Sequence, residues 1–510
     1  MEGEKADSSP ERKSGSASSG DKGLRGGAIG FVSSVVIGVA STAPGYSLAA
    51  TLGFIVAAGV GLASPAILIV SFIPMLCIAF AYYYMNRDDP DCGTSFTWVT
   101  SAMGPYMGWI TGWAIIVADV IVMANLAQIA GLYSFLLFGI NDPSVAVVTL
   151  IGIVWIIIMT AIVTIGIELS ARTQVGLLGA EILTLGAFAV VALIKVYTTD
   201  VPHSIDPALS WFSPFSIDST SALISGVLLG VFIYWGWDSA VTVNEETDDP
   251  TESPGRSAVA STIILVLIYV IVAVAAQAYA GTDFLKANKD DVLSSLGTAV
   301  FGSPLDKLLI IAVLTSAAAS TQTTILPTAR TSLSMAAARA IPKTFARVHE
   351  KFQTPHISTV VFGVVSILWY VGLTILSEKI LADSLEALGL MIAFYYGLTG
   401  FAAAIYYRHE LTSSVKAFIA AGVLPVLGGL MLGYVFVKST IDLAQPGNRD
   451  VFGVGVPLAI AIFFGVLGLI LMLLQRRNSP EFFKRKRQVA PHGALIGKAT
   501  PGEASFAAEP

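Results

Sequence analysis

Residues 233–250 read IYWGWDSAVTVNEETDDP, and the way this stretch interrupts an apolar run decides the architecture of the chain. The run starts near residue 221, reaches Trp235, Gly236, Trp237 and Asp238, resumes as Ser-Ala-Val-Thr-Val, and ends in a burst of acids. Glycine inside a helix costs about 1 kcal/mol relative to alanine. An acid in hydrocarbon costs roughly 2.5–3.5 kcal/mol on insertion scales. A helix carrying both at one point is opened there, and opened backbone in a membrane is tolerated beside a polar cavity. A second such point lies at residues 37–53, IGVASTAPGYSLAATLG. Pro44 lacks an N–H and disfavours helix at Ala43. Gly45 loosens the chain further, and Ser41 and Thr42 supply hydroxyls for the freed backbone groups.

The rest of the composition places these breaks in a membrane. The 510 residues are 55% hydrophobic and 13% charged, with a mean hydropathy of +0.75, too little charge to cover a soluble protein of this length. The net charge of −6 carries no signature of a nucleic-acid partner. Two cysteines, Cys77 and Cys92, exclude a disulfide scaffold. Residues 1–26 are polar and Ser/Gly-rich, lack the order of a cleaved signal peptide, and are expected to form a disordered cytoplasmic tail. Residues 476–510 form a basic cytoplasmic tail whose RRNSPEFFKRKR run sits next to the last span and suits an anionic bilayer surface.

Apolar stretches of the roughly 20 residues needed to cross a bilayer occur near 28–57, 62–85, 104–137, 145–166, 169–197, 221–243, 257–280, 304–335, 356–376, 381–407, 415–437 and 452–475. The expectation is therefore an all-α polytopic membrane protein with 12 transmembrane helices. No period-2 pattern of a β-barrel is present. Placing both termini inside puts most of the 29 Lys and Arg on the cytoplasmic side, as the positive-inside rule requires. The two breaks fall in spans 1 and 6. A pair of interrupted spans in matching positions is the sequence mark of an inverted repeat with a binding site at its midplane, here spans 1–5 against 6–10, with spans 11 and 12 (residues 411–475) outside the 27–410 core.

Several segments resemble the amino acid–polyamine–organocation transporters, bacterial amino acid permease type. GWDSAVTVNEETDDP resembles that family's sixth-span signature, LPTARTSLSMAAARAIPKTFARVHEKFQTP its passage from span 8 into the next loop, and ELSAR at 168–172 the start of span 5. The resemblance implies a LeuT-like 5+5 inverted repeat and import of amino acids by alternating access. It also implies a substrate-binding set of Ser41, Thr42, Ala43, Pro44, Gly45, Tyr46, Phe232, Trp235, Gly236 and Asp238. In that family the span-1 break receives the substrate carboxylate on backbone N–H groups, and the span-6 break offers carbonyls to its ammonium, in keeping with the helix dipoles. This chain departs from the family's Gly-Ser-Gly in the first break, and Pro44 removes one donor. Asp119 in span 3, beside Asn125 and Gln128, is the candidate for a second cationic group on the substrate, the alternative being a structural bond between helices.

Glu181 falls where some proton-coupled members place a lysine, at the site a sodium ion fills in sodium-coupled relatives. With Ser316, Ser320 and Thr321 it forms the expected coupling group, for H+ or alternatively Na+. No other cofactor and no metal is expected. The partners are a small-molecule substrate, amino acid or amine, and the lipid bilayer, in the plasma membrane. Polyamine or cationic-amine import and amino acid exchange are the alternatives, and a transporter-like nutrient sensor is the competing class. A channel lacks its polar stripe. An enzyme lacks any hydrolase, nucleotide or metalloprotease motif.

Overall fold

The computed structural model describes residues 22–376, 380–445, 450–451, 453–491 and 494–496. Most of the expected N-terminal tail and the end of the C-terminal one lie outside the described residues. Residues 22–26, assigned to that tail from sequence, are instead held against the molecule: Lys22 is buried between acids of two other segments.

The chain is mostly helical. In order come α1 (Phe31–Thr42), α2 (Pro44–Ile55), α3 (Ser64–Asp88), the short α4 (Ser95–Met103), α5 (Pro105–Leu137), α6 (Val145–Ile165) and α7 (Ile167–Thr198). Then follow α8 (Thr220–Ile233), α9 (Ser239–Thr242), α10 (Ser253–Ala287), α11 (Val292–Phe301), α12 (Lys307–Ala337), α13 (His356–Leu376) and α14 (Ile380–Tyr406). The last are α15 (Val415–Ala417), α16 (Leu424–Leu443), α17 (Val456–Asn478) and α18 (Pro480–Phe483). A two-residue strand pair, Asp450–Val451 with Val454–Gly455, precedes α17.

Ten stretches among the described residues are long and apolar enough to cross a membrane, against the twelve expected. The difference has two sources. Phe31–Asp88 runs as one stretch of 58 residues, carried past Gly59 and Gly61 by π- and 3-10-helical turns. The expected sixth span is split, leaving α8 as a shorter apolar helix of 14 residues. Burial separates the helices by role. α1, α2, α8 and α12 are buried over most of their length. α6, α7, α13 and α17 expose Leu150, Leu183, Leu368 and Leu473, as helices facing hydrocarbon do. The two broken segments therefore lie inside a ring of lipid-facing helices.

Candidate functional site

The first break falls on one residue. Ala43 adopts φ 48°, ψ 69° between α1 and α2, a left-handed conformation that costs an alanine about 1–2 kcal/mol. Pro44 then starts α2, where its missing N–H is no loss. Every group that the break frees finds a partner from the chain itself. Ser320 Oγ donates to Ser41 O at 2.8 Å, and Ser47 Oγ donates to Thr42 O at 2.6 Å. Gly45 N–H donates to Glu181 Oε1 at 2.6 Å, and Tyr46 N–H to Ser316 Oγ at 3.1 Å. Ser316 Oγ donates in turn to Glu181 Oε1 at 2.8 Å. Glu181 thus caps the N-terminus of α2, a carboxylate at the positive end of a half-helix. Its Oε2 is buried with no partner among the described residues. Of the expected coupling group, Ser316 meets Glu181. Ser320 serves the Ser41 carbonyl, and Thr321 turns its hydroxyl back to Ala317 O on its own helix.

The second break behaves differently. Gly236 sits at φ 118°, and a Cβ there would lie 2.8 Å from Ser41 O. Only glycine lets the two breaks approach this closely. Tyr269 OH donates to Ile233 O at 2.6 Å. The N–H groups of Gly236 and Trp237 have no hydrogen-bond partner among the described residues, nor do the carbonyls of Tyr234 and Trp235. The unengaged backbone is thus in the second break, while the first is saturated.

Between them lies a small cavity of about 10 Å³, lined by Ser41, Ile115, Asp119, Trp235, Gly236, Asp238, Ser239, Thr324, Pro327 and Tyr395. Ser41 Oγ and Ser239 Oγ bond across it at 2.8 Å. Asp119 accepts from Thr328 Oγ1. Asp238 Oδ2 accepts from Tyr395 OH at 3.2 Å and Tyr82 OH at 3.4 Å, and Trp235 Nε1 donates to Tyr395 OH at 2.5 Å. Two acids therefore face one cavity whose lining holds no Lys, Arg or His. Of the residues expected from sequence, Ser41, Asp119, Trp235, Gly236 and Asp238 are brought together here. Thr42, Ala43, Pro44 and Gly45 stand behind the lining as the break itself. Tyr46 and Phe232 meet each other edge to face, centroids 6.4 Å apart, away from the cavity. Trp237 packs between Tyr82 and Tyr396. Gln128 accepts from Tyr370 OH at 2.7 Å, away from Asp119. Sequence reasoning missed Tyr395, Thr324 and Pro327. The adjacent Tyr395 and Tyr396 within an apolar run were the available signal.

Bonds between distant segments cross the bundle on both sides of the cavity. At the end bearing the termini, Ala28 and Ile29 N–H donate to Glu246 O, and Asp248 N–H donates to Ile29 O, tying the start of α1 to the end of α9. Arg330 of α12 forms a two-pronged pair with Glu246, both contacts 2.8 Å and both side chains fully buried. Lys22 Nζ lies 2.7 Å from Asp91 and 2.5 Å from Glu245, with Cys92 Sγ at 3.7 Å. The acids and thiol that sequence spacing did not reveal as a cluster therefore hold an ammonium. Burial alone would raise the Asp91 pKa. The Lys22 charge, with bonds from Lys22, Ser334 and Gly93 N–H, brings it down to about 2. The pair is accordingly intact above pH 4 and loses its contribution only as pH falls through about 2. At the opposite end, Tyr133 OH donates to the Asp291 carboxylate.

Ten long apolar helices among the described residues, packed around two broken segments, define a multi-pass membrane protein. Residues 27–473 match the family model described as amino acid permease, and the chain belongs to that family. It is 25% identical over 434 residues to an uncharacterized transporter of Mycobacterium tuberculosis, covering 84% of this chain and 89% of that protein. It is 25% identical over 388 residues to the branched-chain amino acid permease BcaP of Bacillus subtilis, covering 71% and 77%. With the methylthioribose transporter of Bacillus subtilis it shares 23% over 335 residues, 62% and 68% of the two chains.

Proposed function

We propose that the protein is a secondary active transporter of the cell membrane that imports an amino acid by alternating access, driven by protons. The observation that carries this reading is the small cavity, lined by two acids, where the two breaks meet. Counting Phe31–Asp88 as two crossings and Thr220–Thr242 as one broken crossing gives twelve spans in a LeuT-like 5+5 arrangement, with both termini cytoplasmic. The substrate ammonium lies against Asp238 over the face of Trp235, where cation–π attraction adds roughly 0.5–2 kcal/mol, and Asp119 faces the same cavity as the acid for a second cationic group.

Coupling follows from the Gly45 amide. While Glu181 accepts that N–H, the first break has no donor for a substrate carboxylate. Protonation of Glu181 at Oε2 weakens the acceptor at Oε1 and releases the amide, so that proton and substrate arrive together. Ser316, which reaches Glu181 and Tyr46, moves with them. Na+ is the alternative ion at the same oxygens. A second reading, import of a cationic amino acid or polyamine, is favoured by the two carboxylates on one cavity. Uptake into proteoliposomes, inside-alkaline against no gradient, with labelled leucine, arginine and putrescine separates them. Gradient-driven leucine uptake supports the first reading, and arginine or putrescine alone supports the second. Flux that needs a preloaded counter-solute identifies an exchanger. Binding with no flux of any kind overturns the transporter reading in favour of a sensor.

A further inference from the structure

Three helices that line the cavity, α5, α12 and α14, are linked at the end carrying Lys22 by the chain that follows α17. The first part of this chain is anchored. α18 buries Phe482 and Phe483 in an apolar cluster with Phe96 of α4, Trp109 of α5, Met335 of α12 and Met472 of α17. Phe482 stacks on Phe96 with centroids 5.8 Å apart, and Phe483 meets Tyr106 at 5.2 Å. Carbonyls at a helix C-terminus lack partners within the helix, and two just past α12 are taken here. Gln475 Nε2 donates to Arg339 O at 3.1 Å, and Arg485 Nη2 donates to Ala338 O at 3.3 Å. The Arg485 guanidinium also lies over the Phe482 ring, 5.4 Å from its centroid.

The part that follows is held differently. It has no regular structure, and Lys484, Lys486, Arg487 and Val489 are exposed. Single hydrogen bonds join it to one helix after another. Gln488 N–H donates to Ser101 O of α4 at 2.7 Å, and Ala490 N–H donates to Tyr406 O at the end of α14 at 3.0 Å. Beyond it, Arg87 Nη2 of α3 donates to Ala494 O at 2.9 Å. One hydrogen bond nets little against water, whereas two buried phenyl rings remove a large apolar area from it. A segment held in these two ways detaches from its far end first and keeps its anchor. It supplies no residue to the cavity, so its release leaves the lining intact.

We propose that residues 484–491 are an autoinhibitory strap: they restrain α3 and α14 against α4, α5 and α12 and so slow opening of the cavity toward this end, an inference that rests on the alternating-access reading. Cys92 reports the event, being buried in the turn between Arg87 and Ser101, which the strap bridges. The test compares two deletions in a C77A background by maleimide labelling of Cys92 and by initial uptake into proteoliposomes. Deletion of residues 488–510 keeps α18 and Arg485 but removes all three far bonds, and labelling rises about tenfold or more. Deletion of residues 497–510 ends beyond these contacts and matches the parent. Ala490→Pro removes only the N–H that Tyr406 O accepts, raises labelling about threefold, and carries the test if the longer deletion does not fold. Uptake quickens in the same order. Labelling in Ala490→Pro and in the longer deletion equal to that of the parent overturns the proposal. Faster labelling with slower uptake also overturns it, because the segment is then part of the folded core alone. Faster labelling in a protein whose parent moves no substrate keeps the restraint and overturns the transporter reading instead.

Discussion

Ala43 and Glu181 show how much of the first break rests on single atoms. The left-handed φ at Ala43 is strained for any side chain, so Ala43→Gly relieves about 1 kcal/mol and raises the melting temperature. Ala43→Val, β-branched at positive φ, lowers it and abolishes uptake. Differential scanning fluorimetry beside transport checks both. Glu181→Gln retains an acceptor for Gly45 N–H but carries no titrating proton, so binding persists and uptake loses its pH dependence. Glu181→Ala strands the Gly45 amide and the Ser316 hydroxyl, which costs about 1–3 kcal/mol for each buried orphan and shows as lost thermal stability. If Glu181→Gln takes up substrate with an unchanged pH profile, Glu181 is a helix cap and nothing more. The position of this break was legible in the sequence because Pro44 cannot donate and Ala43 precedes it. That Glu181 would take the Gly45 amide was not, since 136 residues separate them and no local pattern records which helix packs where.

At the scale of elements, the end of the bundle that carries Lys22 is held by two cations whose three ion pairs cross between segments. Arg330–Glu246 joins α12 to the end of the second break, and Lys22 joins the segment before α1 to Asp91 and Glu245. Removing one partner of a buried pair costs about 3–5 kcal/mol because the other charge is left without compensation. Lys22→Ala therefore loosens this end. Cys92, buried beside Lys22, reports the event directly: in a C77A background, maleimide labelling of Cys92 is slow in the parent and several-fold faster in Lys22→Ala. Asp91→Asn combined with Lys22→Ala, which removes both charges, recovers part of the lost melting temperature. Unchanged labelling in Lys22→Ala would show that Lys22 decorates the end without holding it. The sequence showed the sixth span ending in a burst of acids after Val243, but it assigned Lys22 to a free tail. A polar, Ser/Gly-rich context reads as disorder, and a single lysine that reaches back to two acids leaves no compositional trace.

Across the whole molecule, hydropathy and the two interruptions sufficed for a helical membrane protein with a paired break, because helix length and backbone satisfaction in lipid are strict constraints. Which side chains would line the cavity was less accessible. Tyr46 and Phe232 were natural candidates as aromatics beside the breaks, yet they pack on each other. Tyr395, far along the chain, takes the place in the lining by bonding both Asp238 and Trp235. Asp119 and Asp238 line one space, and on the proposed function this pair sets the charge of the substrate. Asp119→Asn leaves an acceptor for Thr328 but removes one negative charge, so a substrate with two cationic groups loses affinity by about tenfold or more, whereas one with a single ammonium held by Asp238 changes little. Competition of arginine, putrescine and leucine for a bound label in the parent and in Asp119→Asn measures this directly. A loss confined to arginine and putrescine makes Asp119 the group that reads the second cation. Equal losses for all three place it in the packing between α5 and α12, where its bond to Thr328 already lies.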